Sequence, residues 1–262
     1  MTSIHTLATD LDGTLIPLDD SAQFTDALSS LKQFVNEREI QLLYVSGRSW
    51  NLVSDAIEQS GLPFPDAAIC DVGTTIYVRN ESKYEVSDEY ADCLRSILSG
   101  WRAPQVLAAI DELDDAVWQQ PADCQTEFKM SFFFELSQQA QVCEKVDDWI
   151  ATNAAPVSTV VSRQIEGPLG LIDVLPSGVH KGFALRWWFE NHDAPLSSAV
   201  YCGDSGNDSA AMTCGVNGVV VGNADDHLCS AMKKAPDANV YFAKGKSTIG
   251  VFEGLRHFCD RN

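Results

Sequence analysis

Residues 4–14 read Ile-His-Thr-Leu-Ala-Thr-Asp-Leu-Asp-Gly-Thr, a short β-prone run that ends on two acidic residues. In an extended chain residues i and i+2 point to the same side, so we expect the side chains of Asp10 and Asp12 to share one pocket. Two carboxylates at such a short distance repel each other unless one is protonated or a cation lies between them. The stretch therefore predicts a strand end that binds a hard cation such as Mg²⁺. A helix-capping or turn pair is the alternative.

Apolar runs followed directly by polar or glycine residues recur along the chain, and segments with apolar residues at helical spacing separate them. This alternation predicts an α/β fold, a Rossmann-like parallel sheet with helices on both faces. Such sheets bind ligands beyond the carboxyl ends of their strands. The strands are predicted at 41–45, 67–70, 199–202 and 218–221, and the helices at 22–38, around Leu52, Val53, Ala56 and Ile57, from Lys181, and at 250–258.

A second acidic cluster, Gly203-Asp204-Ser205-Gly206-Asn207-Asp208, follows the apolar run at 199–202 directly. Taken alone, it suits an Asp/Gly/Asn turn. Two acidic clusters at strand ends of one parallel sheet instead predict a cation site. The candidate metal ligands are Asp10, Asp12, Asp204 and Asp208.

Two further segments are candidates for binding an anion. Ser46-Gly47-Arg48 places a hydroxyl and backbone N–H groups between a predicted strand and a helix, which favours a phosphate site, with an ordinary N-cap as the alternative. Lys181 opens a predicted helix after Pro176-Ser177-Gly178, where a cation is unfavourable. A lysine that faces a bound phosphate would explain this placement, and a solvated surface lysine is the alternative.

The middle of the chain has a different pattern, with polar turns, amphipathic helices at 88–98 and 141–152 and a strand-like run at 129–134. We interpret it as a smaller α+β domain inserted into the core, which resumes at 172–175. The predicted domains are therefore 1–77 with 172–262 as the catalytic core and 78–171 as the inserted domain.

Composition excludes several classes of function. The chain has 262 residues, and its net charge of −19 makes nucleic acid and anionic membranes unsuitable partners. No apolar run approaches the roughly 20 residues that span a bilayer. The eight cysteines are scattered without a CxxC pair, which favours a reduced, cytoplasmic enzyme. The negative electrostatic field of the whole protein would repel an anionic substrate, so the binding site would need local positive charge.

Together, the clusters resemble in order the four motifs of the haloacid dehalogenase-like superfamily, and the spacing between the serine and lysine motifs resembles the subgroup with an α/β cap. The motifs are Asp10-Leu11-Asp12-Gly13-Thr14, Ser46, Lys181 and Gly203-Asp204-Ser205-Gly206-Asn207-Asp208.

Within the superfamily the chain looks most like the sucrose-phosphate phosphatases. The family usually carries a Glu where this chain has Thr75. The matching stretches are Val45-Ser46-Gly47-Arg48-Ser49, Asp71-Val72-Gly73-Thr74-Thr75-Ile76-Tyr77, Lys129-Met130-Ser131-Phe132, Asp173-Val174-Leu175-Pro176, Lys181-Gly182 and Cys202-Gly203-Asp204-Ser205-Gly206-Asn207-Asp208.

The resemblance implies a Mg²⁺-dependent phosphatase with an aspartyl-phosphate intermediate. It assigns the attack to Asp10 and the acid–base work to Asp12, while Ser46 and Lys181 hold the phosphoryl oxygens. Mg²⁺ would be bound by Asp10, the backbone carbonyl of Asp12 and Asp204, with support from Asp208. The candidate phosphate or sugar contacts are Gly47, Arg48, Gly73, Thr74, Lys129 and Asn207.

The implied substrate is a small sugar phosphate, with sucrose 6-phosphate as the leading candidate. Because of Thr75, another glycosyl phosphate, such as a mannosyl- or glucosyl-phosphoglycerate or a hexose phosphate, stays open. A sugar phosphotransferase or mutase is a further alternative, as is a non-catalytic subunit of a sugar-phosphate synthase. We expect a monomer, and association with such a synthase stays open.

Overall fold

The structure is a computed structural model that describes residues 3–18, 24–101, 105, 117–164 and 167–261. The chain divides into two compact units, which we call the core unit (Met1–Ser87 with Lys181–Asn262) and the inserted unit (Asp88–His180). The core unit carries a large, mostly parallel sheet and the inserted unit a smaller antiparallel one. The predicted α/β fold class is therefore confirmed.

The strands are numbered along the chain. They are β1 (Thr6–Thr9), β2 (Gln41–Val45), β3 (Ala67–Cys70), β4 (Thr75–Asn80), β5 (Lys83–Val86), β6 (Val117–Gln119), β7 (Met130–Glu135), β8 (Val157–Arg163), β9 (Leu169–Pro176), β10 (Ala199–Gly203), β11 (Asn217–Val220) and β12 (Asn239–Phe242).

The helices among the described residues are numbered in the same way. They are α1 (Phe24–Glu37), α2 (Trp50–Ser60), α3 (Asp88–Leu98), α4 (Gln139–Thr152), α5 (Lys181–Asn191), α6 (Ser209–Met212), α7 (Asp226–Lys233) and α8 (Ser247–Cys259). Residues 22 and 23 of the first predicted helix lie outside the described part of the chain. No helix that the structure describes combines the length and hydrophobicity needed to cross a membrane.

The large sheet has the strand order β12-β11-β10-β1-β2-β3-β4-β5. The strands from β12 to β3 are parallel, and β4 and β5 add an antiparallel hairpin at one edge. From β1 the chain proceeds outward through β2 to β3, whereas from β10 it proceeds the other way to β12. The carboxyl ends of β1 and β10 therefore flank the point where the strand order reverses, which is where such sheets bind ligands.

Burial on both faces explains why the central strands are apolar. All four residues of β1 are buried, and α1 packs against α8 with the rings of Phe34 and Phe252 5.6 Å apart. In α2 the buried stripe consists of Val53, Ala56 and Ile57. Leu52, which the sequence analysis grouped with these three residues, is 50% exposed.

The inserted unit contains an antiparallel sheet of order β6-β7-β9-β8, with α3 and α4 as its described helices. Residues 172–175, predicted to resume the core sheet, lie in β9 and pair with β7 and β8 instead. The predicted boundaries at 77/78 and 171/172 thus fall within β4 and β9. An apolar run identifies a buried strand but carries no information about which sheet it joins, and this is why the prediction failed.

Candidate active site

Asp10 follows β1 directly at the point where the strand order reverses. Its N–H donates to the carbonyl of Cys202 at 3.0 Å, and its own carbonyl accepts from Leu15 N–H at 3.3 Å. Both bonds are to backbone groups, so the position of Asp10 is determined by the pairing of β1 with β10 and by the turn that follows. The residue is 5% exposed.

Three carboxylates and one ammonium group form the centre of the site. Asp10, Asp204 and Asp208 each offer an oxygen, and these oxygens lie within 4.8 Å of one another. Lys181, the first residue of α5, places its Nζ 3.1 Å from Asp10 Oδ1 and 2.8 Å from Asp208 Oδ1. Because Lys181 is 1% exposed, its charge is balanced by these carboxylates rather than by water.

The crowding of carboxylates changes their protonation. Burial raises the pKa of Asp10, Asp208 and Asp204 raise it further, and Lys181 counteracts part of the shift. Burial and the neighbouring Asp208 raise the pKa of Asp204 to about 6. Burial alone would lower the pKa of Lys181, but the two carboxylates outweigh it and raise the pKa. Lys181 is therefore charged, while Asp10 and Asp204 need further positive charge to ionise fully.

Asp208 is fully buried, and protein donors surround its carboxylate. Oδ1 accepts from the Tyr201 hydroxyl at 2.6 Å and from Lys181, and Oδ2 accepts from the N–H groups of Asp204 and Ser205, both at 3.1 Å. Four donors match the roughly four lone-pair sites of a carboxylate. Asp208 therefore orients Lys181 and the loop after β10. Tyr201 was missed in the sequence because it lies within an apolar strand.

Asp204 packs against the turn after Asp10. Thr14 Oγ1 donates to its Oδ1 at 3.1 Å. Gly13 has φ +71°, and a Cβ at this position would lie 2.2 Å from Asp204 Oδ2. Position 13 therefore needs glycine both for its backbone conformation and for the close approach of Asp204.

The carboxylate of Asp12 has a cationic partner of its own. Its carboxylate forms a two-pronged ion pair with Arg48, with Nε 2.7 Å from Oδ2 and Nη2 2.5 Å from Oδ1. The chain turns after Asp10, as shown by the Ile16 N–H bond to Leu11 O at 2.7 Å, so the i, i+2 rule for extended chain does not apply. Each of the two acidic residues thus has its own cation. Arg48 was predicted to contact phosphate, but its guanidinium is occupied by Asp12 and by the carbonyl of Leu52 at 3.2 Å.

Ser46 lies at the end of β2 and is buried. Its hydroxyl oxygen accepts from Arg48 N–H at 3.1 Å, while its backbone N–H donates to the carbonyl of Ile69 at 2.8 Å. Gly47 beside it is exposed. This loop presents one hydroxyl and exposed backbone next to the strand end.

The turn after β3 packs on the Ser46 loop. Asp71 N–H donates to Arg48 O at 2.9 Å and Val72 N–H to Ser46 O at 3.2 Å. Three successive residues, Asp71, Val72 and Gly73, have positive φ values of 53°, 61° and 99°. Such a run is unusual for L-residues and persists only where the surroundings determine it. The Thr74 hydroxyl donates to Asp71 O at 2.8 Å, so the contacts of Thr74 stabilise the turn. Contact of Gly73 or Thr74 with phosphate stays a prediction.

The two candidate sugar contacts lie in different units. Asn207 is in the core unit, where its Oδ1 accepts from Lys181 Nζ at 3.2 Å and from Ser205 Oγ at 3.0 Å, which directs its amide N–H₂ group away from both. Lys129 is a buried residue of the inserted unit next to β7. A sugar-binding role for either residue stays a prediction.

The donor set of the centre fits Mg²⁺. Mg²⁺ takes oxygen ligands, usually one or two carboxylates together with water and phosphate oxygens. Asp10 and Asp204 supply such carboxylates, and the raised pKa of Asp204 indicates a deficit of positive charge that a divalent cation would remove.

Comparison with known proteins identifies the family. The family model of sucrose-6F-phosphate phosphohydrolase matches residues 4–259. The chain belongs to this family. It is accordingly a phosphoric monoester hydrolase of the haloacid dehalogenase-like superfamily, and the resemblance inferred from the four motifs is confirmed.

Individual relatives agree with this family. The mannosylfructose-phosphate phosphatase of Agrobacterium fabrum is 28% identical over 98% of both chains. The crystal structure of a sucrose-phosphatase from Synechocystis in complex with sucrose and phosphate aligns with a TM-score of 0.80 and 25% identity, covering 98% of both chains. A haloacid dehalogenase-like hydrolase from Bacillus subtilis aligns with a TM-score of 0.66 over 98% of this chain and 94% of its own, and at 17% identity it shows the fold alone.

We expect Mg²⁺ binding to strengthen with pH. Because the pKa of Asp204 is raised to about 6, the metal-free protein holds a proton there below that pH, and Mg²⁺ must displace it. The affinity should rise at least about 10-fold between about pH 5 and pH 7, with proton release on binding, since the raised pKa of Asp10 adds to the effect of Asp204. Calorimetric titration in two buffers of different ionisation enthalpy measures both quantities, and Asp204→Asn should remove most of the affinity. An affinity independent of pH would contradict this assignment.

Proposed function

We propose that this chain hydrolyses a phosphorylated disaccharide, with sucrose 6-phosphate as the leading substrate, to the free sugar and phosphate through an aspartyl-phosphate on Asp10. The observation that carries the proposal is the buried Asp10 carboxylate 3.1 Å from Lys181, beside the Asp12–Arg48 pair, where the strand order reverses. The family match and the likeness to the Synechocystis sucrose-phosphatase support the choice of substrate.

The first step is attack of the Asp10 carboxylate on phosphorus. A carboxylate is a weak nucleophile in water, and here its placement does much of the work, since backbone bonds and the Lys181 ammonium hold it in one position. Burial from water also strengthens every electrostatic interaction with the transferring group. The sugar oxygen leaves as the Asp10–phosphorus bond forms.

Asp12 provides the proton that the leaving sugar alcohol needs. In its acid form it protonates the sugar oxygen, and as a carboxylate it then takes a proton from the water that hydrolyses the aspartyl-phosphate. General acid–base help of this kind contributes about 10²–10⁴-fold. Arg48 holds the carboxylate by two hydrogen bonds and thus determines its direction.

The phosphoryl oxygens are bound by groups that follow β2 and by the lysine at the start of α5. The Ser46 oxygen accepts from Arg48 N–H, so its own hydrogen is directed elsewhere and donates to a phosphoryl oxygen. Lys181 donates to another, and the exposed backbone at Gly47 lies beside them. Mg²⁺, held by Asp10, Asp204 and the carbonyl of Asp12, would neutralise charge on the phosphoryl group. This local positive charge offsets a net charge of −19.

A second candidate substrate is mannosylfructose phosphate. The Agrobacterium phosphatase of that name matches this chain over 98% of both proteins. In the core unit, Thr75 and Asn207 are the residues that we expect to distinguish the two sugars.

The cysteines support the predicted reducing compartment. All eight are free thiols, and Cys70 and Cys202 are buried in core strands. We therefore propose the cytoplasm as the site of action. A monomeric state and a synthase partner stay predictions.

The substrate is tested by measuring phosphate release with Mg²⁺ from sucrose 6-phosphate, mannosylfructose phosphate and hexose phosphates, using Asp10→Asn to correct for contaminating phosphatases. We expect the highest kcat/KM on a disaccharide phosphate, with sucrose 6-phosphate first. Equal kcat/KM values on mono- and disaccharide phosphates would contradict the substrate. Isomerised sugar phosphate without free phosphate would contradict hydrolysis itself.

The role of Arg48 predicts a selective loss in Arg48→Lys, which keeps the charge but not the two-pronged geometry. If Arg48 orients the general acid, kcat/KM on a sugar phosphate should fall about 10- to 100-fold. The value of kcat/KM on p-nitrophenyl phosphate should fall much less, because nitrophenolate leaves without protonation. Asp12→Asn serves as the reference and should show the same selectivity. Equal losses on both substrates would show that Arg48 only maintains the fold.

A further inference from the structure

The turn after the nucleophile is held from outside the four motifs. The carbonyl oxygen of Gly13 accepts two side-chain hydrogen bonds, from Asn223 Nδ2 at 2.7 Å and from Ser247 Oγ at 3.0 Å. Two residues further on, the carbonyl of Leu15 accepts from Thr248 Oγ1 at 2.6 Å. All three donors belong to the last part of the core unit, far away in sequence. We call Asn223, Ser247 and Thr248 the loop latch.

Further hydrogen bonds hold the latch residues themselves in place. Ser247 N–H donates to Asn223 Oδ1 at 2.7 Å, so the asparagine side chain is held at both ends. Gly222 N–H donates to Gly245 O at 2.7 Å and joins the two segments that carry the latch. Ser247 is buried and has φ +45°, a conformation that L-residues avoid unless their surroundings require it. Ser247 thus keeps an unfavourable backbone conformation at the position from which its hydroxyl reaches Gly13.

The peptide that the latch holds lies against a predicted metal ligand. Gly13 packs so closely on Asp204 that no side chain would fit between them, and the next residue, Thr14, donates its hydroxyl to Asp204 Oδ1 at 3.1 Å. The peptide between residues 13 and 14 is therefore fixed by the latch at its carbonyl, and the residues on either side of it, Gly13 and Thr14, both contact Asp204. A shift of this peptide would move the Thr14 hydroxyl, the Asp204 carboxylate and the neighbouring carbonyl of Asp12 together.

We propose that the loop latch is a set of positioning residues that orients Asp204 and the Asp10–Leu15 turn for binding Mg²⁺ and phosphate. The effect on turnover rests on the proposed phosphatase function, whereas the effect on Mg²⁺ binding does not. None of these three residues belongs to the four motifs. Their carbonyl acceptors, at positions 13 and 15, connect them to the reaction.

The test compares Asn223→Ala and Ser247→Gly with two matched controls. Glycine tolerates the positive φ at position 247, so this variant removes the hydroxyl without adding backbone strain. Asn217 donates to the carbonyls of Ser197 and Ala199, both at 2.9 Å, and the Ser198 hydroxyl donates to Pro195 O at 2.7 Å. Asn217 and Ser198 lie at the amino ends of β11 and β10. Asn217→Ala and Ser198→Ala therefore remove similar side-chain to carbonyl hydrogen bonds at the end of the strands opposite the site.

Each latch variant should weaken Mg²⁺ binding, measured by calorimetry, about 10-fold and lower kcat/KM on the best sugar phosphate about 10- to 100-fold, because small misplacements at a reacting centre are costly. The control variants should keep the Mg²⁺ affinity and the kcat/KM of the unmodified protein, and their melting temperatures should be comparable to those of the latch variants. The double variant Asn223→Ala/Ser247→Gly should lose less than the sum of the single losses, since both donors bind the same oxygen.

The proposal is overturned if both latch variants keep the Mg²⁺ affinity of the unmodified protein, or lose no more than the controls do. Should Asn223→Ala not fold, Ser247→Gly alone decides the matter. If the unmodified protein releases phosphate from no sugar phosphate, the proposed function fails, and Mg²⁺ calorimetry on the same variants still tests the latch.

Discussion

A buried lysine surrounded by buried carboxylates is the interaction on which the site depends. Lys181 is 1% exposed and contacts Asp10 and Asp208, which are themselves almost completely buried. Removing one member of such a group leaves an uncompensated buried charge, which typically costs about 3–5 kcal/mol. The residues that surround it are therefore constrained. Asp208 needs Tyr201 and two backbone amides, and Asp10 needs the pairing of β1 with β10.

The two acidic residues of the nucleophile segment have different surroundings, and this gives them different chemistry. Asp10 is buried next to an ammonium group and two other carboxylates, whereas Asp12 is partly exposed and held by a guanidinium. The first arrangement suits a nucleophile that also contacts a metal ion, and the second suits an acid–base group that must exchange protons with solvent.

Much of this site could be predicted from the sequence because parallel strands bring their carboxyl ends to one edge. Apolar runs located β1, β2 and β10, and the polar residues after them, Asp10, Ser46 and Asp204, follow adjacent strands as expected. The i, i+2 argument for Asp12 assumed an extended chain, whereas the chain turns after Asp10. The assignment of 172–175 failed because burial does not reveal the strand partner. Asn223 and Ser247 carry no local signal, since their importance lies in contacts with a residue more than 200 positions away.

The most direct test of the central claim is mass spectrometry of enzyme quenched in acid during a single turnover with Mg²⁺ and sucrose 6-phosphate. An aspartyl-phosphate is expected, so the peptide that contains Asp10 should gain the mass of one phosphoryl group, and the gain should disappear as free phosphate accumulates. Turnover with no phosphorylated peptide at any quench time, or phosphorylation of a different residue, would contradict the role of Asp10 as nucleophile.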